Sequence, residues 1–598
     1  MKELCLQHIL LPGIEICTEE GLYFRNISPK ENAKMDFING QVILPEDSKI
    51  CFATYFNLFS WEKWKHYTDI QNVKLRIKVK GIFEIEIVQD EMVSGRLIQK
   101  ILCADYVDAS KGQKDFVYEI ESFSIRGQIS FRLKSYSEEG IFYGGEYFTE
   151  CAREPKLPAI AVNICTFHRE EFVYRNFKNI RRYMEENGSK IVRDYYDFYI
   201  VDNGQSLDAS EICIDHVNVV SQKDSGSTGG FTRGFIEIMA QDRKYDYVIV
   251  MDDDILFEPE ILERTCMFQA FKKKEYSDSI LGGVMMDLRT PWLQNEAGGY
   301  FDKYNYYSLK HDYNLNDRIT LLLNDYEQNA RVNAWWFCCI PGNIITKTNL
   351  PYPFFFHRDD MEFGYRNRKT IILMNGIGVW HESFFNKTAS WHTYYDIRNL
   401  LILDALHFRD FNRKDAKKIL WKTMLDRVVK YRYKEADFLI EAYEDFLKGP
   451  FWLRKNDNAE YLEQKIQKGY RLGNISKAID YNWYEYRMNF SESKKRRLVR
   501  KLTLNGYLLP ANKYVIAPIS NYSNFVSFRA KYIINYDFIR QKGFLTYKSY
   551  KQAVCCFLQM FKILILLDLK FGRAKKLYMK EFKRDISLKQ WKKRLGIK

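Results

Sequence analysis

Tyr247-Val248-Ile249-Val250-Met251-Asp252-Asp253-Asp254 is the stretch around which the chain is organised. A run of apolar and aromatic residues followed by three carboxylates predicts a buried strand that ends in acid, and parallel strands covered on both faces have such continuous apolar runs. Ligands of parallel sheets bind at the carboxyl ends of the strands. Neighbouring carboxylates repel one another unless a cation joins them, and Mg²⁺ and Mn²⁺ prefer oxygen ligands together with substrate phosphates. The triplet therefore indicates a divalent metal that carries a diphosphate, or else a solvated turn after a strand.

The Asp triplet closes the fourth strand of an alternating pattern of strands and helices. Apolar strands are expected at residues 159–166, 198–204 and 216–220, with helices at about 170–186 and 229–241. Repeated βα units predict a mostly parallel sheet with right-handed crossovers. The carboxyl end of each preceding strand carries polar residues able to meet a ligand: Thr166 with Arg169, Asp202 with Asn203, and Asp224.

A glycine-rich segment, residues 226–234, leads into the second of these helices. Glycines let a backbone approach a ligand closely, and the amino terminus of a helix favours an anion. The segment is neither the G-x-G-x-x-G dinucleotide fingerprint nor a Walker loop, so a plain turn is the alternative.

A second apolar run ends in acid at Phe354-Phe355-Phe356-His357-Arg358-Asp359-Asp360-Met361-Glu362. Adjacent carboxylates raise one another's pKa, which suits a general base near neutral pH. The same residues resemble a helix capping box, and a cap can also position a base. Further on, Gly378-Val379-Trp380-His381 places a histidine after an apolar strand, where it is structural unless carboxylates converge on it.

The first 150 or so residues predict half-buried antiparallel strands. Residues 73–79 and 82–87 alternate strictly around Gly81, and residues 125–133 repeat the pattern around Gly127, as in a β-sandwich. Trp61, Trp64 and Tyr67 fit either the core of that sandwich or a platform for a sugar. A polar, proline-bearing boundary follows at residues 153–158.

Composition indicates a globular protein of several units, with 598 residues, 46% hydrophobic and 28% charged. The twelve cysteines show no zinc-finger spacing, so buried thiols are expected. The first residues are too weakly apolar for a signal peptide, and no run of eighteen uncharged apolar residues predicts a membrane span. We therefore expect a cytoplasmic protein.

The basic charge is confined to the end of the chain. From Ser491 onward there are 26 Lys or Arg and 5 Asp or Glu, a net of +21, whereas the whole chain carries +14 and the preceding residues thus −7. The chain from about residue 400 is glycine-poor, with apolar residues at helical spacing. Basic clusters beside apolar helical faces indicate a membrane-surface helix or an ordinary helical core with a solvated face. Nucleic-acid binding is disfavoured because no recognition motif supports it.

Seven motifs, taken together and in this order, resemble the polymerising galactofuranosyltransferases of glycosyltransferase family 2. They are Thr166-Phe167-His168-Arg169, Val201-Asp202-Asn203-Gly204, Gly229-Gly230-Phe231-Thr232-Arg233, Asp252-Asp253-Asp254, Trp335-Trp336-Phe337-Cys338, the stretch from Phe356 to Gly364, and Val379-Trp380-His381. The resemblance implies an α/β fold: a β-sandwich at residues 1–152, a GT-A (Rossmann-like) domain at 153–400, and a helical, basic domain at 401–598.

The resemblance also implies a role for each matching residue. Asp252, Asp254 and His381 match the metal ligands, for Mn²⁺ or Mg²⁺, and Asp360 matches the catalytic base. The nucleotide of the donor is expected to contact Thr166, Arg169, Asn203, Asp224 and Asp253. The acceptor is expected to contact Trp335, Trp336, Asp359 and Glu362. The chain departs from the family at His168, Asn203 and Asp224, where Asn, Gln and Asn are usual.

These roles imply an inverting, metal-dependent transferase that moves galactofuranose from UDP-galactofuranose onto a lipid-linked cell-surface glycan. Its place would be the inner face of the cell membrane, held through the basic carboxyl-terminal region, and assembly with identical copies is left open. A family 2 transferase of rhamnosyl or glucosyl nucleotides is one alternative. A carbohydrate-binding scaffold without catalysis is another.

Overall fold

The computed structural model describes residues 2–28, 31–120, 126–212, 214–383, 389–475, 492–511 and 513–597. Its amino-terminal part is built on one antiparallel sheet with the strand order β2-β5-β8-β6-β9-β4-β3, to which β1 adds on β9 and β7 on β6. Strands β1 to β9 are Lys2–His8, Arg25–Asn26, Lys34–Asp36, Gln41–Pro45, Lys49–Cys51, Val73–Val93, Arg96–Ile120, Gln128–Ser135 and Glu139–Cys151, and helix α1 is Trp61–Tyr67.

Strand β6 joins the two halves of this sheet. It pairs with β7 along one edge, and with β9 and then β8 along the other. The sequence predicts two strands separated by Gly81, and this is wrong: the pairing with β7 continues through an irregularity between Val79 and Gly81. Gly81 has a φ of 118°, which a side chain would strain, so the glycine bends the strand instead of ending it.

Helix α1 carries the three aromatic residues for which the sequence leaves two interpretations open, core packing or a platform for a sugar. Trp61, Trp64 and Tyr67 are all nearly inaccessible to solvent. The ring of Trp64 packs edge-on against Phe268, 5.0 Å between centroids, in a helix of the next part of the chain. These residues therefore form core between the two parts and offer no platform for a sugar.

The central part is built on a seven-stranded sheet with the order β12-β11-β10-β13-β20-β14-β21. A four-stranded sheet of order β19-β16-β15-β22 and the hairpin β17-β18 stand beside it. Strands β10 to β22 are Ile160–Thr166, Tyr196–Asp202, Val217–Ser221, Tyr247–Asp252, Ile280–Gly282, Val284–Asp287, Leu293–Glu296, Gly299–Phe301, Tyr306–Ser308, Tyr313–Asn314, Phe337–Pro341, Ile371–Ile372 and Gly378–His381. Helices α2 to α7 are Glu170–Asn187, Ile191–Tyr195, Gly226–Ala240, Glu260–Phe271, Arg318–Asp325 and Asp359–Asn367.

The parallel strands run in register, so their carboxyl ends meet at one edge. Thr166 of β10 pairs with Asp202 of β11, and Cys165 pairs with Asp252 of β13. Antiparallel β20 continues the sheet beyond β13. The ends of β10, β11, β12 and β13 therefore lie together at the edge at which a ligand is expected.

The carboxyl-terminal part is helical, as predicted, and it also contains a four-stranded sheet, β23-β26-β25-β24, that the sequence did not predict. Helices α8 to α15 are His392–His407, Arg413–Val429, Tyr433–Lys448, Pro450–Asn456, Ala459–Lys468, Lys494–Leu502, Tyr550–Asp585 and Leu588–Leu595. Strands β23 to β26 are Gly473–Asn474, Lys513–Pro518, Ala530–Asp537 and Lys542–Tyr547. Within the described ranges, no helix has the length and apolar character needed to cross a membrane.

The end of the chain returns to the central part. The indole of Trp591, in α15, is buried and donates to the carbonyl of Pro351 at 2.9 Å. Trp591 therefore belongs to the core of the protein and not to an exposed face of the basic region. The predicted α/β fold class, with an amino-terminal β part, a central parallel sheet and a helical carboxyl-terminal part, is confirmed. Its division at residues 152 and 400 stays a prediction, and α8 runs through the second boundary.

Two glycines of α4 set how closely this helix lies on the sheet. A Cβ on Gly230 would come within 2.1 Å of the Cys165 sulfur, and one on Gly234 within 1.9 Å of Asn163 Oδ1. Asn163 also donates to the carbonyl of Phe231 at 2.8 Å. The glycines predicted to admit a ligand thus serve first to seat the helix against β10.

We predict that Gly230→Ala destabilises the protein by about 1–3 kcal/mol, because the added methyl group overpacks the contact between α4 and β10. Gly572→Ala is the matched control, since that glycine is also helical but a Cβ there meets nothing within 4 Å. The control should be neutral or stabilising by up to about 1 kcal/mol. Urea unfolding of both variants measures the difference, and equal midpoints would contradict this packing.

Candidate active site

Two carboxylates and one imidazole come together at the end of β13. The ligand atoms of Asp252, Asp254 and His381 all lie within 4.8 Å of one another, and His381 Nε2 is 3.1 Å from Asp254 Oδ1. A backbone bridge aligns the two segments, because Leu256 and Trp380 exchange hydrogen bonds of 2.8 Å in both directions. Carboxylates thus converge on His381. This is the condition under which the histidine is expected to be a metal ligand.

The donor set of this group suits a divalent cation. Carboxylate and imidazole ligands are those that Mn²⁺ and related ions accept in proteins. Asp254 and His381 are buried, while Asp252 is partly accessible, so the group opens on one side only. Such an arrangement leaves coordination positions for a ligand outside the protein.

Arg169 supplies the positive charge nearest to the triplet. Its Nη1 lies 2.9 Å from Asp253 Oδ1 and 2.9 Å from Asp254 Oδ2. Burial raises the pKa of Asp253 and the Arg169 guanidinium opposes that rise. The guanidinium itself is partly exposed, so it faces the same opening as the metal-ligand group.

The residues expected to contact the nucleotide are held by short hydrogen bonds. Asn203 accepts from Gln222 Nε2 at 2.7 Å and donates to the carbonyl of Gly226 at 3.0 Å. Asp224 accepts from the Gly226 amide at 2.9 Å, and burial raises its pKa. The sequence missed Gln222, which follows β12 and fixes the amide of Asn203. The signal in the sequence that could have indicated Gln222 is its position one residue after β12.

Four carboxylates from three segments act on the thiol of Cys165. Burial raises the pKa of this thiol well above its ordinary value, and the charges of Asp253, Asp224, Asp252 and Asp359 raise it further. Asp224 belongs to the nucleotide side, Asp252 to the metal-ligand group, and Asp359 to α7. These three predicted groups therefore lie close enough to one another for their charges to act on the same thiol.

The acid cluster of α7 contains a carboxyl group tuned toward neutral pH. Burial raises the pKa of Asp360 to about 7, and the neighbouring charge of Asp359 contributes to the rise. Asp359 accepts from Thr228 Oγ1 of α4 at 2.8 Å. A carboxyl group with a pKa near 7 can take up a proton at physiological pH, so Asp360 has the property expected of a general base.

Glu296 is a further acidic residue of the site that the sequence did not indicate. It accepts from the Tyr306 hydroxyl and from Ser308 Oγ, both at 2.5 Å, and burial raises its pKa to about 7 against these hydrogen bonds. Its charge also raises the pKa of Asp360. Glu296 ends a four-residue strand with no distinctive motif, so only the fold could show that it faces α7.

Trp335 and Trp336 do not have the exposed faces expected of an acceptor platform. Both are buried. Trp335 packs edge-on against Phe231 of α4 and Phe363 of α7, with centroids at 5.2 and 5.8 Å. Trp336 donates to the carbonyl of Gly283 at 2.8 Å. Trp335 therefore holds α4 and α7 together, and neither indole presents a ring face to a sugar in this structure.

Glu362, which is expected to contact the acceptor, is also buried. Its side chain is fully buried, 2.9 Å from Arg366 Nε and 2.9 Å from His407 Nε2. Burial alone would raise its pKa, but Arg366 and His407 outweigh burial and lower the pKa to about 2. The residue ties α7 to α8 as an ion pair.

The segment before α7 is fixed by α8. His357 and Arg358 both have a φ of 67°, a left-handed conformation that costs energy for non-glycine residues. Asp396 lies 2.8 Å from His357 Nδ1, and its carbonyl accepts from Arg358 Nε at 3.0 Å. Asn399 donates to the carbonyls of Phe356 and His357 at 2.8 and 2.9 Å. These contacts determine where α7 begins and hence where Asp360 lies.

The parallel sheet, its acid-ended strand and the carboxylates of α7 agree with the GT-A fold that the order of the motifs predicts. Residues 6–147 match the model of the family described as Galactofuranosyltransferase 2 N-terminal. The chain is 25% identical over 429 residues to galactofuranosyltransferase GlfT2 of Mycolicibacterium smegmatis, and 23% identical over 434 residues to GlfT2 of Mycobacterium tuberculosis. The resemblance predicted from the order of the motifs is thus confirmed.

The matched region is 68% of this chain in both cases, and it spans 65% and 66% of the two curated relatives. Among solved structures, glucosyl-3-phosphoglycerate synthase from Mycobacterium tuberculosis in complex with Mn²⁺ and UDP aligns over 38% of this chain and 72% of that chain. The identity is 12% and the TM-score is 0.24.

We predict that Glu362→Ala destabilises the protein by about 3–5 kcal/mol, because it leaves Arg366 buried without its carboxylate. The lowered pKa of Glu362 means that its contribution is complete above the ordinary carboxyl pKa and is lost as the pH falls toward 2. Glu185→Ala is the matched control: the exposed Arg181–Glu185 pair has the same helical spacing, and its loss should cost less than about 1 kcal/mol. Equal losses in denaturant unfolding at pH 7 would contradict a structural role for Glu362.

Proposed function

We propose that the chain is an inverting, metal-dependent glycosyltransferase that moves galactofuranose from UDP-galactofuranose onto a lipid-linked cell-surface glycan. The observation that carries this proposal is the convergence at one sheet edge of a metal-ligand group, Asp252, Asp254 and His381, with the carboxylates of α7. A cation site beside a carboxyl group of pKa about 7 is what glycosyl transfer from a nucleotide diphosphate requires.

On the donor side, Asp252, Asp254 and His381 would hold Mn²⁺ or Mg²⁺. Such an ion, when bound, neutralises negative charge on the leaving diphosphate. Arg169, held between Asp253 and Asp254, adds a second positive charge at the same opening. Thr166, Asn203 and Asp224 line the nucleotide side of the edge, where Asn203 is oriented by Gln222.

On the acceptor side, Asp360 takes the proton from the acceptor hydroxyl as that oxygen attacks the anomeric carbon. The bond to the diphosphate breaks on the opposite side of the sugar, so a single displacement inverts the configuration. Burial raises the pKa of Asp360, the charge of Asp359 adds to the rise, and Asp359 is itself oriented by Thr228. Glu296 faces the same region with Tyr306 and Ser308 and is a candidate contact for acceptor hydroxyl groups.

The choice of galactofuranose rests on the similarity to the two GlfT2 proteins, and the lipid-linked acceptor on the family resemblance. A family 2 transferase of rhamnosyl or glucosyl nucleotides has the same chemical requirements. A donor-hydrolysis screen with several nucleotide sugars separates these alternatives, and no turnover with any donor would favour a carbohydrate-binding scaffold. We further propose a cytoplasmic location at the inner face of the membrane.

We predict that a chelator abolishes transfer and that Mn²⁺ or Mg²⁺ restores it. Asp254→Ala should lose activity that added metal does not restore, because one ligand of the group is gone. Asp242→Ala removes an exposed carboxylate remote from the group and should retain wild-type activity and wild-type metal dependence. Full activity of Asp254→Ala in the presence of chelator would disprove metal dependence.

We predict that Asp360→Asn lowers the turnover rate by about 10²–10⁴-fold while UDP binding is retained, because only the proton acceptor is removed. Since the base must be ionised, the rate should fall as the pH drops below about 7. Asp359→Asn should move this fall to lower pH, because the charge that raises the pKa of Asp360 is gone. Loss of UDP binding by Asp360→Asn in calorimetry would instead make Asp360 a donor-site or structural residue.

A further inference from the structure

A cysteine, a histidine and a glutamate come together where the amino-terminal sheet meets the central part of the chain. The ligand atoms of Cys5, His8 and Glu146 all lie within 4.8 Å of one another, and each residue is partly accessible to solvent. Cys5 and His8 belong to β1, and Glu146 belongs to β9. We call these three residues the amino-terminal cluster. It lies in a different part of the molecule from the metal-ligand group at the end of β13.

A bulge in β1 places the thiol and the imidazole on the same face of the sheet. Side chains of a strand alternate between the two faces, so residues three positions apart normally point in opposite directions. The pairing of β1 with β9 shifts between Cys5 and Gln7, after which His8 pairs with Glu146. Cys5 pairs with Phe148, which shares a face with Glu146. Bulges that re-aim a side chain in this way are common beside functional sites.

The two ring nitrogens of His8 face carboxylates of different elements. Nδ1 is 4.0 Å from Glu146 Oε2, and Nε2 is 3.8 Å from Glu263 Oε1 of α5. A histidine that binds a metal through one nitrogen usually directs the other at a carboxylate or carbonyl group, which fixes the ring. Glu263 is itself held by the hydroxyl groups of Tyr183 and Ser189, at 2.8 and 2.7 Å. His8 therefore has one nitrogen for a metal and a fixed carboxylate behind the ring.

Glu146 has one carboxylate oxygen directed at the cluster. Arg76 binds its Oε1, and Oε2 is the oxygen nearest to His8. Ligand atoms bound tetrahedrally at about 2.0–2.3 Å from zinc are about 3.5 Å apart, so small rotations of three side chains close the cluster around one ion. The backbone is already fixed, because the His8 amide donates to Glu260 Oε1 of α5 at 3.0 Å.

The donor atoms of the amino-terminal cluster favour a different metal from that expected at the end of β13. Thiolate and imidazole ligands select Zn²⁺, whereas carboxylates together with phosphate oxygens suit Mn²⁺ or Mg²⁺. The ligands come from positions 5, 8 and 146, so the spacing of the cysteines gives no signal for this site.

We propose that Cys5, His8 and Glu146 bind a structural zinc ion. Binding requires the Cys5 thiol to release its proton, so that the thiolate, the imidazole and Glu146 Oε2 are the three protein ligands. The ion holds His8 against Glu263 and thereby fastens the amino-terminal sheet to α5, the helix that follows the Asp triplet. The zinc site goes beyond the proposed function and does not depend on it.

The first test measures zinc binding by the full chain, purified without a polyhistidine tag. The end of β13 can also take zinc, so each protein is measured with and without Asp254→Asn. Cys5→Ser and His8→Gln should bind zinc at least about tenfold more weakly than the protein with an intact cluster. Cys103→Ser is the matched control, because it removes an exposed cysteine of β7 in the same sheet, and it should bind zinc normally. Equal zinc affinity in Cys5→Ser and the control, or no zinc bound by the wild type, would overturn the site.

The second test identifies the ligand by cobalt substitution. Co²⁺ bound to a thiolate has a charge-transfer absorption in the near ultraviolet, which carboxylates and imidazole do not produce. This band should appear in the wild type and in Asp254→Asn and be absent from Cys5→Ser. Its absence from the cobalt-loaded wild type would overturn the site even if Cys5→Ser failed to fold, and its persistence in folded Cys5→Ser would assign the metal to another cysteine.

Thermal unfolding provides the third readout. Zinc binds the folded chain, so it should raise the unfolding midpoint of Asp254→Asn but not that of Asp254→Asn/Cys5→Ser. Equal shifts in the two proteins would contradict a role for Cys5 as a ligand. A wild type that binds zinc through Cys5 but transfers no sugar would refute the proposed function and leave the zinc site intact.

Discussion

The crowding of negative charge at the carboxyl edge of the central sheet is the constraint on which the site depends. The charges of Asp253, Asp224, Asp252 and Asp359 all act on one partly buried thiol, that of Cys165. Burial removes part of the water that would screen such charges, so cationic partners help the carboxylates to stay ionised. Arg169 is one such partner. A divalent ion among Asp252, Asp254 and His381 would be the other, and we infer that the site is built to need it.

Neighbouring charges also explain why two carboxyl groups of the second acid cluster, on α7, have different pKa values. Burial, with the charge of Asp359, raises the pKa of Asp360 to about 7, and the opposing effect of His357 does not cancel this rise. Glu362, two residues further along the same helix, lies against Arg366 and His407, and its pKa is about 2. One short helix thus presents a carboxyl group that can exchange a proton and another that serves as a fixed anion. The neighbours of each position on the helix determine which of these two roles its carboxyl group has.

The scaffold keeps these charges in place by contacts far from them in sequence. Arg398 of α8 pairs with Asp457 through two hydrogen bonds of 2.8 Å, both side chains being fully buried. Asp457 also accepts from the Phe355 amide at 3.0 Å, just before the left-handed residues that precede α7. The carboxyl-terminal helices therefore help to position Asp360.

Much of the site could be predicted from local sequence. A strand that ends in acid, a polar residue after each parallel strand, and the order of the motifs indicated Asp252, Asp254, Asp360 and His381, because strand ends and helix starts follow from near neighbours. Whether a side chain is exposed depends on which elements pack over it. This is why Trp335, Trp336 and Glu362 were assigned to the acceptor although the structure buries them. Glu296 could be recognised as part of the site only once distant segments were placed together.

The central claim is that a divalent ion at the end of β13 holds the donor diphosphate. Crystals grown with Mn²⁺ and UDP, measured above the manganese absorption edge, test it most directly, because the anomalous difference map locates the ion without assumptions about the ligand. We predict a single strong peak among Asp252, Asp254 and His381, with the diphosphate of UDP bound to it, and no such peak in crystals of Asp254→Asn. A diphosphate bound at this edge with no manganese peak, or a peak remote from these three residues, would contradict the account.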